Sequence, residues 1–75
     1  MQKEDIEIST EYISIDKLLK FAGIADTGGQ AFMMIEDGVV LLNGEKVQEK
    51  RRKVYAGDVV TVAGQLQITV VREAE

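Results

Sequence analysis

Ile15-Asp16-Lys17-Leu18-Leu19-Lys20-Phe21-Ala22-Gly23 and, three residues on, Thr27-Gly28-Gly29-Gln30-Ala31 decide how this chain folds. In the first segment Ile15, Leu18, Leu19 and Ala22 fall at i, i+3, i+4 and i+7, the spacing of one helix face. Ser14 stands where an N-cap is expected, and Gly23 where a helix ends in a left-handed turn. The spacing predicts a helix over 15–22, with Asp16, Lys17, Lys20 and Phe21 on its outer side. In the second segment, Thr27 followed three residues later by Gln30 is a capping-box pattern. It predicts a second helix over 28–36, with Ala31, Met34 and Ile35 facing inward and Gly38 ending it. Gly28 and Gly29 in a first helical turn cost about 1 kcal/mol each in propensity, so something is expected to compensate for them.

Strands surround this helical pair. Ile6-Glu7-Ile8 alternates with the strand period and suits a short edge strand. After Gly38, Val39-Val40-Leu41-Leu42 reads as a buried strand. Asn43-Gly44 is the strongest hairpin signal in the chain, and Glu45-Lys46-Val47 is the return strand. Gln48 to Lys53 is polar and basic. Ala56-Gly57-Asp58 turns the chain into Val59-Val60-Thr61-Val62, and Ala63-Gly64-Gln65 turns it into a last strand over 66–71. Strand, helix, helix and then several strands point to an α+β fold. Two helices pack on one face of a small, mainly antiparallel β-sheet. One domain is expected over 1–75, with its core at about 13–62. An acidic extension at 1–12 precedes the core, and a C-terminal strand and tail follow at 63–75.

Composition narrows the chemistry. The chain has 75 residues, 45% of them hydrophobic and 29% charged, which suits a folded domain with a modest core rather than a disordered tail. Cysteine and histidine are both absent. That excludes disulfide scaffolds, Cys/His metal sites, cysteine nucleophiles and Ser-His-Asp triads. No signal peptide is visible at the acidic start, and no apolar run approaches the ~18 residues of a membrane span. A cytoplasmic protein is expected. The net charge is −4, but residues 1–12 hold one lysine against four acidic residues, while residues 13–62 hold seven of each sign. A local basic patch can therefore survive in a neutral body, with weak long-range attraction to phosphates.

Four features could carry function. Lys50-Arg51-Arg52-Lys53 is a run of four cations on a loop or irregular strand before Val54. It is either an electrostatic footprint for phosphate or a solvated loop. The Thr27 to Gln30 helix start offers backbone amides to an anion, and its glycines allow close approach. The alternative is an ordinary cap with glycines kept for tight helix packing. It lacks the spaced Gly-Lys-Ser/Thr of a nucleotide P-loop. Lys17 and Lys20 lie three apart on one helix face, which could equally be only solvated. Phe21 and Phe32 could stack on a base, but are expected to widen the core. Asp16, Asp26, Glu36, Asp37 and Asp58 are scattered. Cap and turn duty explains Asp16, Asp26 and Asp58 better than acid–base catalysis or Mg²⁺ binding, so no catalytic residue, metal or cofactor is expected.

Order and spacing together carry a resemblance. The segment 15–23 is similar to the first helix of the S4-type RNA-binding domain, the alpha-L motif of ribosomal small-subunit proteins. Thr27-Gly28-Gly29-Gln30-Ala31 resembles that family's second helix start. Gly38-Val39-Val40-Leu41-Leu42-Asn43-Gly44 resembles its Gly-x-Val-x-Val-Asn-Gly, and Val54-Tyr55-Ala56-Gly57-Asp58-Val59-Val60 its Gly-Asp-x-Val ending. The match spans about residues 13–62, and the second helix start looks like the small stand-alone bacterial branch, the YaaA/YbcJ-like proteins. The resemblance implies a non-enzymatic RNA-binding module for ribosomal RNA or tRNA. Its RNA face would use Lys17 and Lys20 for phosphates and the amides of Thr27, Gly28, Gly29 and Gln30 for another phosphate. The Asn43-Gly44 turn would shape the edge, or be a hairpin turn only, and Lys50, Arg51, Arg52 and Lys53 would extend the positive rim. The chain departs from the family where Gly28 and Gly29 replace cations of the second helix start, and where Phe32 stands in place of a lysine. Affinity and salt dependence should be lower for it.

Shape and phosphate position, rather than single-strand sequence, are the expected readout, because aromatic residues are few. The alternative is a protein-interaction adaptor that keeps the fold with weak or no RNA affinity and takes the ribosome or a protein as its partner; the acidic total and the missing helix-two cations favour it. A ubiquitin-like sulfur carrier shares the Gly-Asp-x-Val pattern but needs a terminal Gly-Gly, whereas this sequence ends Val71-Arg72-Glu73-Ala74-Glu75.

Overall fold

Helix α1 covers Ile15–Phe21 and helix α2 covers Gly28–Glu36 in the computed structural model, which describes residues 2–73. Met1 at the start of the acidic extension and Ala74-Glu75 at the end of the tail lie outside the described residues. The strands are β1 (Gln2–Ile8), β2 (Tyr12–Ser14), β3 (Val40–Leu42), β4 (Glu45–Lys46), β5 (Lys53–Tyr55), β6 (Val59–Val62) and β7 (Leu66–Arg72). Five of them form one sheet in the order β1-β7-β6-β3-β4, and β2 with β5 forms a separate two-stranded ribbon. The large sheet is antiparallel except that β1 runs parallel to β7, from Gln2 opposite Leu66 to Ile8 opposite Arg72. The two helices pack against this mainly antiparallel sheet. Among the described residues no helix is long and apolar enough to cross a membrane.

A helix of α1's length is unstable alone, so packing must hold it. Ile15, Leu18 and Leu19 are fully buried, as the 3/4 spacing requires. Ala31 and Ile35 of α2 join them, and Val40, Leu42, Val60, Val62, Ile68 and Val70 complete the core from the sheet side. Along β6 and β7 every second residue is buried, and the alternate positions, Val59, Thr61, Gln67 and Thr69, form the half-buried outer face.

The first strand is longer than the apolar alternation at 6–8 indicates. Lys3, Glu4 and Asp5 continue it because β1 is an edge strand, where charged side chains reach solvent. The ribbon has no counterpart in the sequence reading. Helix starts also differ from expectation in detail. Ser14 occupies the N-cap position of α1 without a side-chain capping bond. At α2, Thr27 Oγ1 accepts from Gln30 N–H at 3.1 Å, but Gln30 Oε1 accepts from Asp26 N–H at 2.7 Å rather than from Thr27. Gly38, with φ of 76°, ends α2 in the left-handed conformation that favours glycine.

Phe21 does not widen the core. It lies off the Ile15–Leu18–Leu19 stripe at the last turn of α1 and is 65% exposed, lining a shallow groove with Ile6 and Ile13. Phe32 is half-buried, with Lys50 Nζ 5.2 Å from its ring centroid.

Candidate nucleic-acid interface

The ribbon determines where the basic run sits. Tyr12 pairs with Tyr55, Ile13 with Val54 and Ser14 with Lys53. One residue further, the N–H of Ile15 donates to the carbonyl of Arg52 at 2.8 Å. The first amide of α1 is thus bonded to the basic segment itself. Val54 is fully buried, so Lys53 and Tyr55 on either side of it project outward. Lys53 therefore belongs to a regular strand, and Lys50 to Arg52 form the turn that leads into it.

This arrangement brings Lys17, Arg51 and Lys53 to one concavity, lined also by Tyr12, Ile13 and the carboxylate-bearing Asp16. Arg51 and Lys53 also line a neighbouring concavity with Arg52, Asn43, Tyr55, Glu49 and Asp58. Lys17, Lys20, Arg51 and Lys53 are exposed, and among the described residues no ion pair engages them. Lys50 is held differently, with its Nζ 2.9 Å from Glu36 Oε1 at the end of α2. Arg52 lies 3.9 Å from Glu49. Lys20 lines neither basic concavity.

The start of α2 has a separate character. A Cβ built on Gly28 would meet nothing within 4 Å, and one on Gly29 only Thr27 Oγ1 at 3.9 Å. Neither glycine has a positive φ. Tight packing and backbone conformation both fail to account for them. The first helical amides have no intrahelical acceptor, and no acidic residue stands in this turn to occupy them.

Asn43 is tied into the fold. At φ of 51° it opens the hairpin turn, its Oδ1 accepts from Val59 N–H at 3.0 Å, and its Nδ2 donates to Asp58 Oδ1 at 3.1 Å. Asp58 Oδ2 in turn accepts from Tyr55 N–H at 2.8 Å. The Asn43-Gly44 and Gly57-Asp58 signals are thus two halves of one hydrogen-bonded knot that fixes the end of β5. Tyr12 and Tyr55 carry no assignment from sequence. The three-residue strands that hold them are too short to show a period, so no local signal marks them.

A short basic ribbon is thus bonded to the first of two sheet-packed helices. The chain belongs to the S4 domain family, whose model matches residues 6–71. It is 39% identical over 59 residues to a Bacillus subtilis protein named "Probable ribosome maturation protein RlbA", covering 79% of this chain and 83% of that one. The solution structure of YbcJ from Escherichia coli, described as revealing an alpha-L motif involved in RNA binding, superposes with a TM-score of 0.62 at 30% identity. That match covers 92% of this chain and 87% of YbcJ. The tyrosine–tRNA ligase of Nitrosospira multiformis is 39% identical over 57 residues, which is 76% of this chain but 14% of the ligase.

Proposed function

We propose that this chain is a non-enzymatic, cytoplasmic RNA-binding module that recognises structured RNA of the ribosomal or transfer class by the positions of its phosphates. The bond from Ile15 N–H to the Arg52 carbonyl carries this reading, because it seats the basic segment beside α1 and gathers Lys17, Arg51 and Lys53 around one concavity. Lys17, Arg51 and Lys53 form the centre of the phosphate face, and Lys20, Lys50 and Arg52 extend it. The open amides at Gly28 and Gly29, beside the cap made by Thr27 and Gln30, donate to a further phosphate. Asn43 acts by shaping the edge, since its amide group is engaged by Asp58 and Val59. The family's RNA-binding relatives and the ribosome maturation name of one of them support the RNA class.

Binding to total ribosomal RNA and tRNA over a salt series tests this, with Lys17→Glu and Arg51→Glu/Arg52→Glu alongside. Affinity should fall as salt rises, and the variants should lose most of it. No binding at low salt by a folded protein would overturn the reading in favour of a protein-interaction adaptor.

A further inference from the structure

The outer face of the β2–β5 ribbon is both cationic and aromatic. Residues two apart in a strand project to the same side, so Lys53 and Tyr55 stand together while Val54 enters the core. Across the ladder, Tyr12 lies opposite Tyr55. The two rings meet with centroids 5.7 Å apart and planes inclined at 50°. Lys53 Nζ covers one face of Tyr12 at 4.8 Å from its centroid. Both tyrosines remain exposed, at 41% and 42%. Cross-strand packing explains why the rings touch each other. Strand alternation turns them outward while Ile13 and Val54 face inward, but neither effect accounts for the cations beside them, which share the linings with Asp16, Glu49 and Asp58. Tyr55 borders the concavity that holds Arg51 and Arg52, and Tyr12 the one that holds Lys17.

We propose that Tyr55, backed by Tyr12, is a stacking platform for one unpaired base of the RNA, with Arg51, Arg52 and Lys53 holding the flanking phosphates. This rests on the RNA-binding reading above and sharpens its ligand. A continuous duplex offers no free base face, so the platform selects helical RNA that carries a bulged, looped or terminal nucleotide. Every base has a π-face, so the site reads the presence of an unpaired base and not its identity. The platform is preorganised. Asp58 accepts from the Tyr55 N–H and is itself held by Asn43, so β5 ends at a fixed point.

The experiment uses two labelled RNA hairpins of the same stem, each closed by a non-nucleotide glycol linker instead of a loop, one fully paired and one with a single bulged 2-aminopurine. Anisotropy reads binding, and 2-aminopurine emission reads stacking. The chain has two tyrosines and no tryptophan, so protein emission reports on the same two rings. The bulged hairpin should bind roughly ten-fold tighter, with quenching of both signals. Tyr55→Leu should abolish the preference and the quenching, and Tyr55→Phe should keep both. Arg51→Glu/Arg52→Glu should weaken both hairpins. Equal affinities with no change in emission would overturn the platform and leave the RNA-binding reading standing. Failure of both hairpins to bind at low salt would overturn both. A loss in Tyr55→Phe as large as in Tyr55→Leu would assign the effect to the hydroxyl and also overturn stacking. Circular dichroism confirms that the variants are folded, and if Tyr55→Leu is not, the two hairpins on the unaltered protein decide.

Discussion

The two helices begin in opposite ways. The first amide of α1 is consumed by the fold, donating to Arg52, and Asp16 places a carboxylate in the same turn, where the helix dipole favours it. The start of α2 is closed by the Thr27–Gln30 bond but carries no acidic residue and two glycines with open space where side chains would be. One helix start holds a strand in place, and the other has open space around its first turn. Position in the core follows the same division. α1 contributes Ile15, Leu18 and Leu19, all fully buried, whereas α2 contributes the smaller Ala31 together with Ile35.

The largest effect expected from this contrast is Leu18→Ala, which removes a fully buried side chain from α1 and should cost about 2–5 kcal/mol in denaturant unfolding. Met33→Ala on the 65% exposed face of α2 should stay within about 0.5 kcal/mol. Equal losses would remove the claim that α1 is the anchored helix.

Gly38→Ala comes next. Its φ of 76° suits glycine, and a Cβ there would meet the Lys46 side chain. A loss of about 1–2 kcal/mol is expected from the backbone alone. Thermal or denaturant unfolding measures it, and an unchanged midpoint would show that the end of α2 adapts.

Capping should separate the two helix starts more finely. Thr27→Ala removes an observed bond to Gln30 N–H and should cost about 1 kcal/mol. Ser14→Ala removes no capping bond and should change stability by less than about 0.5 kcal/mol. Comparable losses in paired unfolding curves would mean that Ser14 caps α1 in solution after all.

How much of this was visible in the sequence depends on how local each signal is. Ile15, Leu18 and Leu19 lie within two turns, and Thr27 reaches Gln30 within one, so both helices and the two-helix, mainly antiparallel architecture were legible. Asn43-Gly44 gave its hairpin for the same reason. The ribbon was not legible, because Tyr12-Ile13-Ser14 and Lys53-Val54-Tyr55 are too short to show a period and pair across most of the chain. The extent of β1 was hidden by Lys3, Glu4 and Asp5, which an edge strand tolerates and a propensity reading does not. The basic residues could be named from sequence. Their gathering around one concavity depends on the Ile15–Arg52 bond, which no local pattern encodes. The helical spacing put Phe21 on the outer side of α1, where it is 65% exposed, and only the expectation that it widens the core, drawn from its hydrophobicity, failed.

Gly28→Ala gives a small change in stability and the sharpest test of the open helix start. Its φ is not positive and a methyl group meets nothing within 4 Å, so alanine is free of strain there. Alanine also restricts the unfolded chain, and a gain of about 0.4–1 kcal/mol in unfolding free energy is expected. The same methyl stands beside the amides of Gly28 and Gly29, where a phosphate would have to approach. RNA affinity should therefore fall while stability rises. Ordinary structural damage cannot give that pair of signs, since it lowers both. Measured by unfolding and by anisotropy on one preparation, a rise in stability with unchanged affinity would mean that this helix start binds no phosphate, and the RNA face would reduce to the cations of α1 and the ribbon.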